Sequence, residues 1–530
     1  MQANTGSRPN EPKKNRKFYV ALIVSLLVIV GCGIAVQYAI HHAQPILRAR
    51  IVQTLATRFQ SVVHLGDFDV SVSHGLDVEG KDLTIQSTLY PNLPPQIAIG
   101  SFHFHAELLD LFRSPMRISS AEIDGLVVRV PPKARRAAMR KSQKNHANIK
   151  IIVDRILCQR ALLLILPEDA EKKPLQFRID TLTLQRAGRH QAMHFRANLV
   201  NPRPIGIIQT EGNFGAWEDE EPGNTPIDGT YSFTHADLST TKGIKGTLSS
   251  TGRFNGKLDA VTVDGTTETP NFSLNVSGHP VELHTEFHAI VNGTNGNTYL
   301  QPVHAQLLHT ELIATGYVVH AQHRKGHNIH LVVQIDHGRV EDLLYLGVKT
   351  EPPMLFGALR LRTHFDLPAG KQSVSRKLRL QGMYTADHVV FTNPQIQKRL
   401  VELSLRSQGR AADARRLSQA VISKENPLAK IPSGLHGEFL VANRKLTLPQ
   451  LVCNIPGAEI DLSGTYTLDG RVFNFAGDAR MDAPVSRMVG GWKGALMKPI
   501  DPIFARHGAK TEIPITITGT SAKPHLALKL

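Results

Sequence analysis

From Val62 onward the chain alternates. Runs of about four to eight residues carry apolar side chains at every second position, then Gly, Asn or Asp intervenes and a new run begins. A period of two sends alternate side chains to opposite faces of a pleated strand, whereas a helix needs a period near 3.6. Gly243, Gly246, Gly252, Gly256 and Gly265 punctuate one such stretch around the run 258–263. Residues 272–276 and 281–284 flank Gly278, and the run 445–448 leads towards 458–466. Turn signals spaced by roughly 8–12 residues over hundreds of positions predict a mainly β chain of many short strands.

Each predicted strand is amphipathic. Ile513, Ile515 and Ile517 alternate with Thr516 and Thr518, and Ile460 and Leu462 alternate with Glu459 and Asp461. Such strands form one apolar and one polar face. A closed sandwich and an open sheet satisfy that pattern equally well.

Three stretches break the alternation. In 45–59, Leu47, Ile51, Leu55 and Phe59 recur every four residues behind Pro45, which predicts an amphipathic helix. Its narrow stripe suits a cap on the following sheet better than a membrane-surface helix. Residues 394–422 contain Ile396, Leu400, Leu403 and Leu405, and read as helical. The run 484–498 sets Val485, Val489, Trp492 and Leu496 on one helical face before Pro499. Both read as caps or lids. Residues 216–226, with Glu218, Asp219, Glu220 and Glu221, read as an exposed acidic loop.

The most apolar segment is 18–36, which carries no charge and includes Phe18, Leu22, Leu26, Val30 and Val36. At helical rise it spans roughly 28 Å, close to the hydrocarbon thickness of a bilayer. Lys13, Lys14, Arg16 and Lys17 precede it, and no Lys or Arg follows before Arg48. The positive-inside rule then keeps the N-terminus in the cytoplasm and sends the chain after about residue 40 across the membrane. A cleaved signal peptide fits less well, because the core is long and 37–42 offer a poor cleavage site. A lipobox reading of 29–32, with Cys32 acylated, conflicts with the apolar sequence continuing past Cys32.

The net charge of +16 suggests an anionic partner. For a chain sent across a membrane that partner is lipid headgroup or acidic envelope polymer, and no nucleic acid is expected. Part of the excess lies in Lys133, Arg135, Arg136, Arg140, Lys141, Lys144 and Lys150, which read as a solvated linker. With only three cysteines, and Cys158 and Cys453 far apart, neither a disulfide framework nor metal-type spacing exists. The expectation for that pair is two buried thiols.

No phosphate loop, dinucleotide fingerprint, nucleophile elbow or His-Glu-x-x-His pair is present. His284 and His288 have zinc-helix spacing, but their strand-like setting puts both on one face of a sheet. His103 and His105 share a strand face. His320, His323, His327 and His330 straddle residues 324–326, a predicted hairpin tip where solvated polar residues belong. Asp67, Asp69, Glu459 and Asp461 stand singly on predicted wet faces. The residues therefore nominate no catalytic side chain, metal site or cofactor, and the chain does not read as an enzyme.

Two ends of the chain resemble a known family. Residues 46–50, 63–70 and 76–83, with Leu76, Asp77, Val78, Glu79 and Gly80, resemble the opening of AsmA-like bacterial envelope proteins. Residues 403–409, 455–466, 498–504, 512–520 and the Lys523, Pro524 pair are similar, in order, to the C-terminal region of that family. The resemblance implies an inner-membrane protein with a cytoplasmic tail (1–17), a transmembrane anchor (18–40) and a periplasmic bulk. It divides the remainder into an N-terminal AsmA-like helix and strands (41–130), a central β-repeat region (131–395) and an AsmA-like C-terminal region (396–530). It further implies a long, curved sheet of stacked short strands forming a groove, as in bridge-like lipid transfer proteins, with a few capping helices. The expected function is phospholipid transport or outer-membrane biogenesis through an apolar β-groove, with Ile460, Leu462, Ile513, Ile515 and Ile517 as lining candidates. The expected partners are phospholipid or another acyl lipid, the inner membrane, and an outer-membrane or envelope protein. The alternative is an envelope assembly scaffold or regulator that carries no lipid.

Overall fold

The computed structural model describes parts of 45–57 and most of 61–528. Residues 1–44, 46–47, 50, 54, 58–60, 73–74, 89–92, 108, 111–115, 132–150, 167–173, 189–190, 219–220, 322–325, 350, 420–430, 468–471, 521–522 and 529–530 lie outside that description. The predicted anchor, with Phe18, Leu22, Leu26, Val30 and Val36, falls there, as does the whole basic run 133–150. Among the described residues, no helix is long and apolar enough to cross a membrane. Those residues are mainly β, with 26 strands and a few short helices. The chain divides into two compact units, Met1–Arg189 and His190–Leu530.

In the first unit, Ser61–His64 and Phe68–Val72 pair with the two halves of the long strand Leu76–Ser87. Ile97–Ala106 lies on the other side of that strand. It is followed by Met116–Asp124 and, beyond the Gly125 kink (φ 67°), by Val127–Val130. Both then run parallel to Ile151–Ile165, which pairs antiparallel with Leu175–Gly188. Parallel neighbours cannot be joined by a tight hairpin, so the link from Val127–Val130 to Ile151–Ile165 is a crossover. Leu65, Leu83 and Phe102 form the core here. Helical backbone at 48–49, 51–53 and 55–57 brings Val52 and Leu55 against it, and the Arg48 guanidinium donates to the Leu65 carbonyl at 2.6 Å. Of the four-residue stripe, Leu55 packs on this core, and Leu47 and Phe59 lie outside the described residues.

The second unit is an antiparallel meander from Met193–Pro202 to Lys523–Leu528, each long strand bonded to the next. The dipeptide Ile244–Lys245 pairs separately with the end of Ala260–Leu274. In a meander, alternate connections emerge at the same edge. The insertions between Arg339 and Leu355, between Phe391 and Gly434, and between Met481 and Thr511 all share one edge. They carry the helices Val340–Gly347, Pro394–Ser407, Ala411–Gln419, Val485–Val489 and Gly491–Met497.

The helical stretch expected from Pro394 is two helices, Pro394–Ser407 and Ala411–Gln419. The Asn393 side chain accepts from the amides of Gln395 and Ile396, and Pro394 occupies the first turn. Helix Val340–Gly347 was not foreseen. Its Asp342 carboxylate is buried and accepts from the His309 amide (3.0 Å) and the Thr310 hydroxyl (2.8 Å), tying the helix to a neighbouring hairpin. The single helix expected over 484–498 requires correction. It breaks at Gly490 and Gly491, whose φ values of 65° and 67° turn the chain. Trp492 and Leu496 consequently do not join a sheet-facing stripe; they are 72% and 69% exposed.

Candidate functional site

The register of the second unit assembles the alternating residues into rows. On one face, Leu300, Gly316, Leu331, Phe365, Leu380 and Val441 stand directly opposite one another across six consecutive strands. A neighbouring row on the same face runs Gly265, Phe287, Val303, Ala314, Val333 and Thr363. At about 4.8 Å between strands, each row is a continuous apolar track. Leu300, Leu331, Phe365, Leu380, Val441, Phe287, Val303 and Val333 are all half-buried. In a sealed sandwich such side chains would be buried against a second sheet.

Small residues let aromatic rings lie flat on this face. A Cβ at Gly265 would come within 2.6 Å of the Tyr231 hydroxyl and 2.9 Å of the Phe287 ring, and one at Gly229 within 2.8 Å of the Phe254 ring. The rings thereby cover backbone that a bare glycine would leave exposed. The hydroxyls on this face satisfy one another. Tyr231 meets Ser250 at 3.1 Å, Ser250 donates to the Thr266 carbonyl at 2.9 Å, and Thr267 meets Thr285 at 2.5 Å. An apolar ligand would therefore not strand an unpaired donor there. Burial pushes the Cys453 thiol up to about 11 and the Tyr384 phenol up to about 12, so both are neutral at physiological pH. The Cys158 thiol, in the first unit, is also raised by burial; of the two buried thiols expected, both are free, Cys158 buried and Cys453 half-buried.

The opposite face is charged. His284 and His288 share it, as their strand setting implied, with Glu286 between them, and bond Glu268 (2.5 Å) and Asp264 (2.7 Å) on the neighbouring strand. In the first unit His105 holds Asp77 at 2.7 Å, drawing its carboxyl below the usual range against the opposing effect of burial, with His103 adding at 3.2 Å. Of the crowded quartet, His320 and His327 pair edge-on at the predicted hairpin, with ring centroids 5.6 Å apart. His330 instead bonds Asp366 at 2.6 Å, and His323 lies outside the described residues. Among the described residues, no cluster of three or more His, Cys, Asp or Glu side chains is arranged to hold a metal ion. Asp67, Asp69 and Glu459 are exposed and Asp461 is half-buried.

The five lining candidates do come together on the apolar face, but at its covered end. Ile513 and Ile515 belong to a core with Ile455, Ala458, Ala479 and Met481, over which Leu400, Leu403, Met488 and Phe504 pack. Ile460 and Ile517 border that core, and Leu462 is buried at 7% exposure. The free stretch of the face lies further back along the meander, in residues not singled out from the sequence. Their period-two pattern was visible; what covered them was not. No family model, curated protein or solved structure matches the chain.

Proposed function

We propose that the chain is an AsmA-type protein, anchored in the bacterial inner membrane by 18–36 with its bulk in the periplasm, that moves acyl lipid along the apolar face of its sheet towards the outer membrane. The observation that carries this reading is the row Leu331, Phe365, Leu380 and Val441, in register and only half-buried. Acyl chains laid on such a face would gain roughly 0.8 kcal/mol per methylene removed from water. The sequence contains no nucleotide-binding motif, so the driving force is assigned to a partner or to the lipid gradient. Photo-crosslinking side chains at Leu331 and Phe365 should capture phospholipid in cells, and those at the outward Gln334 and Arg362 should not. Equal capture at both sets, or none at either, would sink the proposal.

A second reading, an envelope assembly scaffold, is favoured by the outward face. Tyr299, Tyr317, Val332 and Met383 are exposed there. Stable co-purification of an outer-membrane assembly protein, with no lipid retained, would move the balance to this reading.

A further inference from the structure

The helical cap of the second unit is firmly seated, yet it directs large apolar side chains outwards. Met488 and Phe504 pack on the core beneath it. Asp501 accepts from the Ser486 amide (2.9 Å) and hydroxyl (2.6 Å), and the Arg406 guanidinium donates to the Met488 carbonyl at 3.2 Å. Trp492 and Leu496, one helical turn apart on Gly491–Met497, nevertheless remain 72% and 69% exposed, and Ile503 on the adjoining turn Asp501–Phe504 is 61% exposed. A cap built only to close the core would have turned these inward.

The charges around them have one prevailing sign. Arg487, Lys493, Lys498, Arg506 and Lys510 fall within the segment, against two carboxylates, the exposed Asp482 and Asp501, which is engaged by Ser486. The Lys493 ammonium lies 5.7 Å from the centre of the Trp492 ring. Indole, leucine and isoleucine set among lysine and arginine match the two layers of an anionic lipid interface. The rings and branched chains reach the acyl boundary, while the cations stay with the phosphates. We infer that this cap is a docking surface for an anionic phospholipid bilayer, with Trp492, Leu496 and Ile503 inserted and Lys493, Lys498 and Arg506 on the headgroups. The surface is distinct from the apolar face of the sheet, so the inference does not rest on lipid transport.

The chain contains two tryptophans, so a Trp217→Phe background leaves Trp492 as the sole reporter. The full chain would be held in nanodiscs of neutral phosphatidylcholine and mixed with vesicles of phosphatidylglycerol or phosphatidylcholine carrying brominated acyl chains. With phosphatidylglycerol vesicles, Trp492 emission should shift to the blue and be quenched, and the protein should float with the vesicles. Phosphatidylcholine vesicles should capture about tenfold less. The Leu496→Ser/Ile503→Ser variant should lose about tenfold or more of the capture, whereas Val276→Ser, at a residue 60% exposed elsewhere, should lose none. Unmoved emission, equal capture by the two lipids, or full capture by the double variant would overturn the inference. So would a blue shift that grows with protein concentration in the absence of vesicles, which would mark a contact between copies. Crosslinking at Leu331 and Phe365 in the same double variant should be unchanged, so failure of the docking surface and failure of the transport reading give different results.

Discussion

Two stretches of the second unit share one face, one meander and one alternating pattern, but differ in what lies over them. At the C-terminal end Phe475, Ile513 and Ile515 are 7–9% exposed; in the middle Phe254, Phe287 and Phe365 are only half-buried. The difference lies in the connections. The long insertions between Phe391 and Gly434 and between Met481 and Thr511 supply helices that pack over the apolar face. In the middle, Leu307 passes to Thr310 through two residues, too few to cover anything, and the insertion carrying Val340–Gly347 packs on Leu359, Ala386 and Val389. Openness here is a property of loop length at one edge and is independent of strand chemistry.

The sharpest way to break this comparison is to cut away side chains on both stretches. Ile515→Ala should cost about 2–4 kcal/mol because it leaves a cavity in a packed core. Phe287→Ala, despite losing a larger group, should cost only about 1–2 kcal/mol, since its ring already keeps water contact. Urea unfolding read by hydrogen exchange on the affected strands measures both; equal costs would mean that the middle stretch is also sealed. Adding a methyl group should show the same asymmetry. Gly477→Ala drives its Cβ into the Asp461 carbonyl oxygen in the covered stretch, and about 3 kcal/mol is expected. Gly265→Ala meets the Thr251 carbonyl at 2.8 Å, but its other close neighbours are the tips of Tyr231 and Phe287, which can swing into free space. About 1–2 kcal/mol should be lost there.

The smallest effect should be one of pH. The hydrogen bond from His507 (2.6 Å) draws the Glu512 carboxyl below its usual range against opposing burial, with Arg480 adding. A lowered folded-state value stabilises the fold above the ordinary glutamate pKa of about 4.3, and that stabilisation is lost as pH falls through the lowered value. Wild type should therefore exceed Glu512→Gln in urea midpoint at pH 6, with the gap closing below about pH 4. The matching Asp264→Asn change in the open stretch, where His288 lowers the carboxyl in solvent, should move the midpoint less. A gap that widens in acid would contradict the assignment.

Much of the fold was legible. Alternation placed the strands, because a pleat leaves a period-two signature in any sequence that must hide one face. Gly252 and Gly265, read as punctuation between runs, instead lie inside the strands Thr247–Lys257 and Ala260–Leu274 and face each other across the ladder. The apolar spacing of Ile396, Leu400 and Leu403 announced the helix that begins at Pro394. Helix Val340–Gly347 escaped notice because its apolar residues merge with those of the flanking strands. The parallel step between Val127–Val130 and Ile151–Ile165 left no local mark, since strand direction is set by a crossover and not by the residues in the strand. The candidate surface was legible only in kind: Ile513 and Ile515 carry the same pattern as Leu331 and Phe365, yet only the latter pair lies outside the helical cover.

By itself, the order of side chains determined that the described chain would be strands with one oily and one wet face, because each residue's side is dictated by its immediate neighbours. Which part of the oily face is roofed, and that Trp492 and Leu496 turn outwards, was decided only in three dimensions. Cover is supplied by segments distant in sequence, and a two-glycine hinge can redirect a helix without altering its apolar spacing.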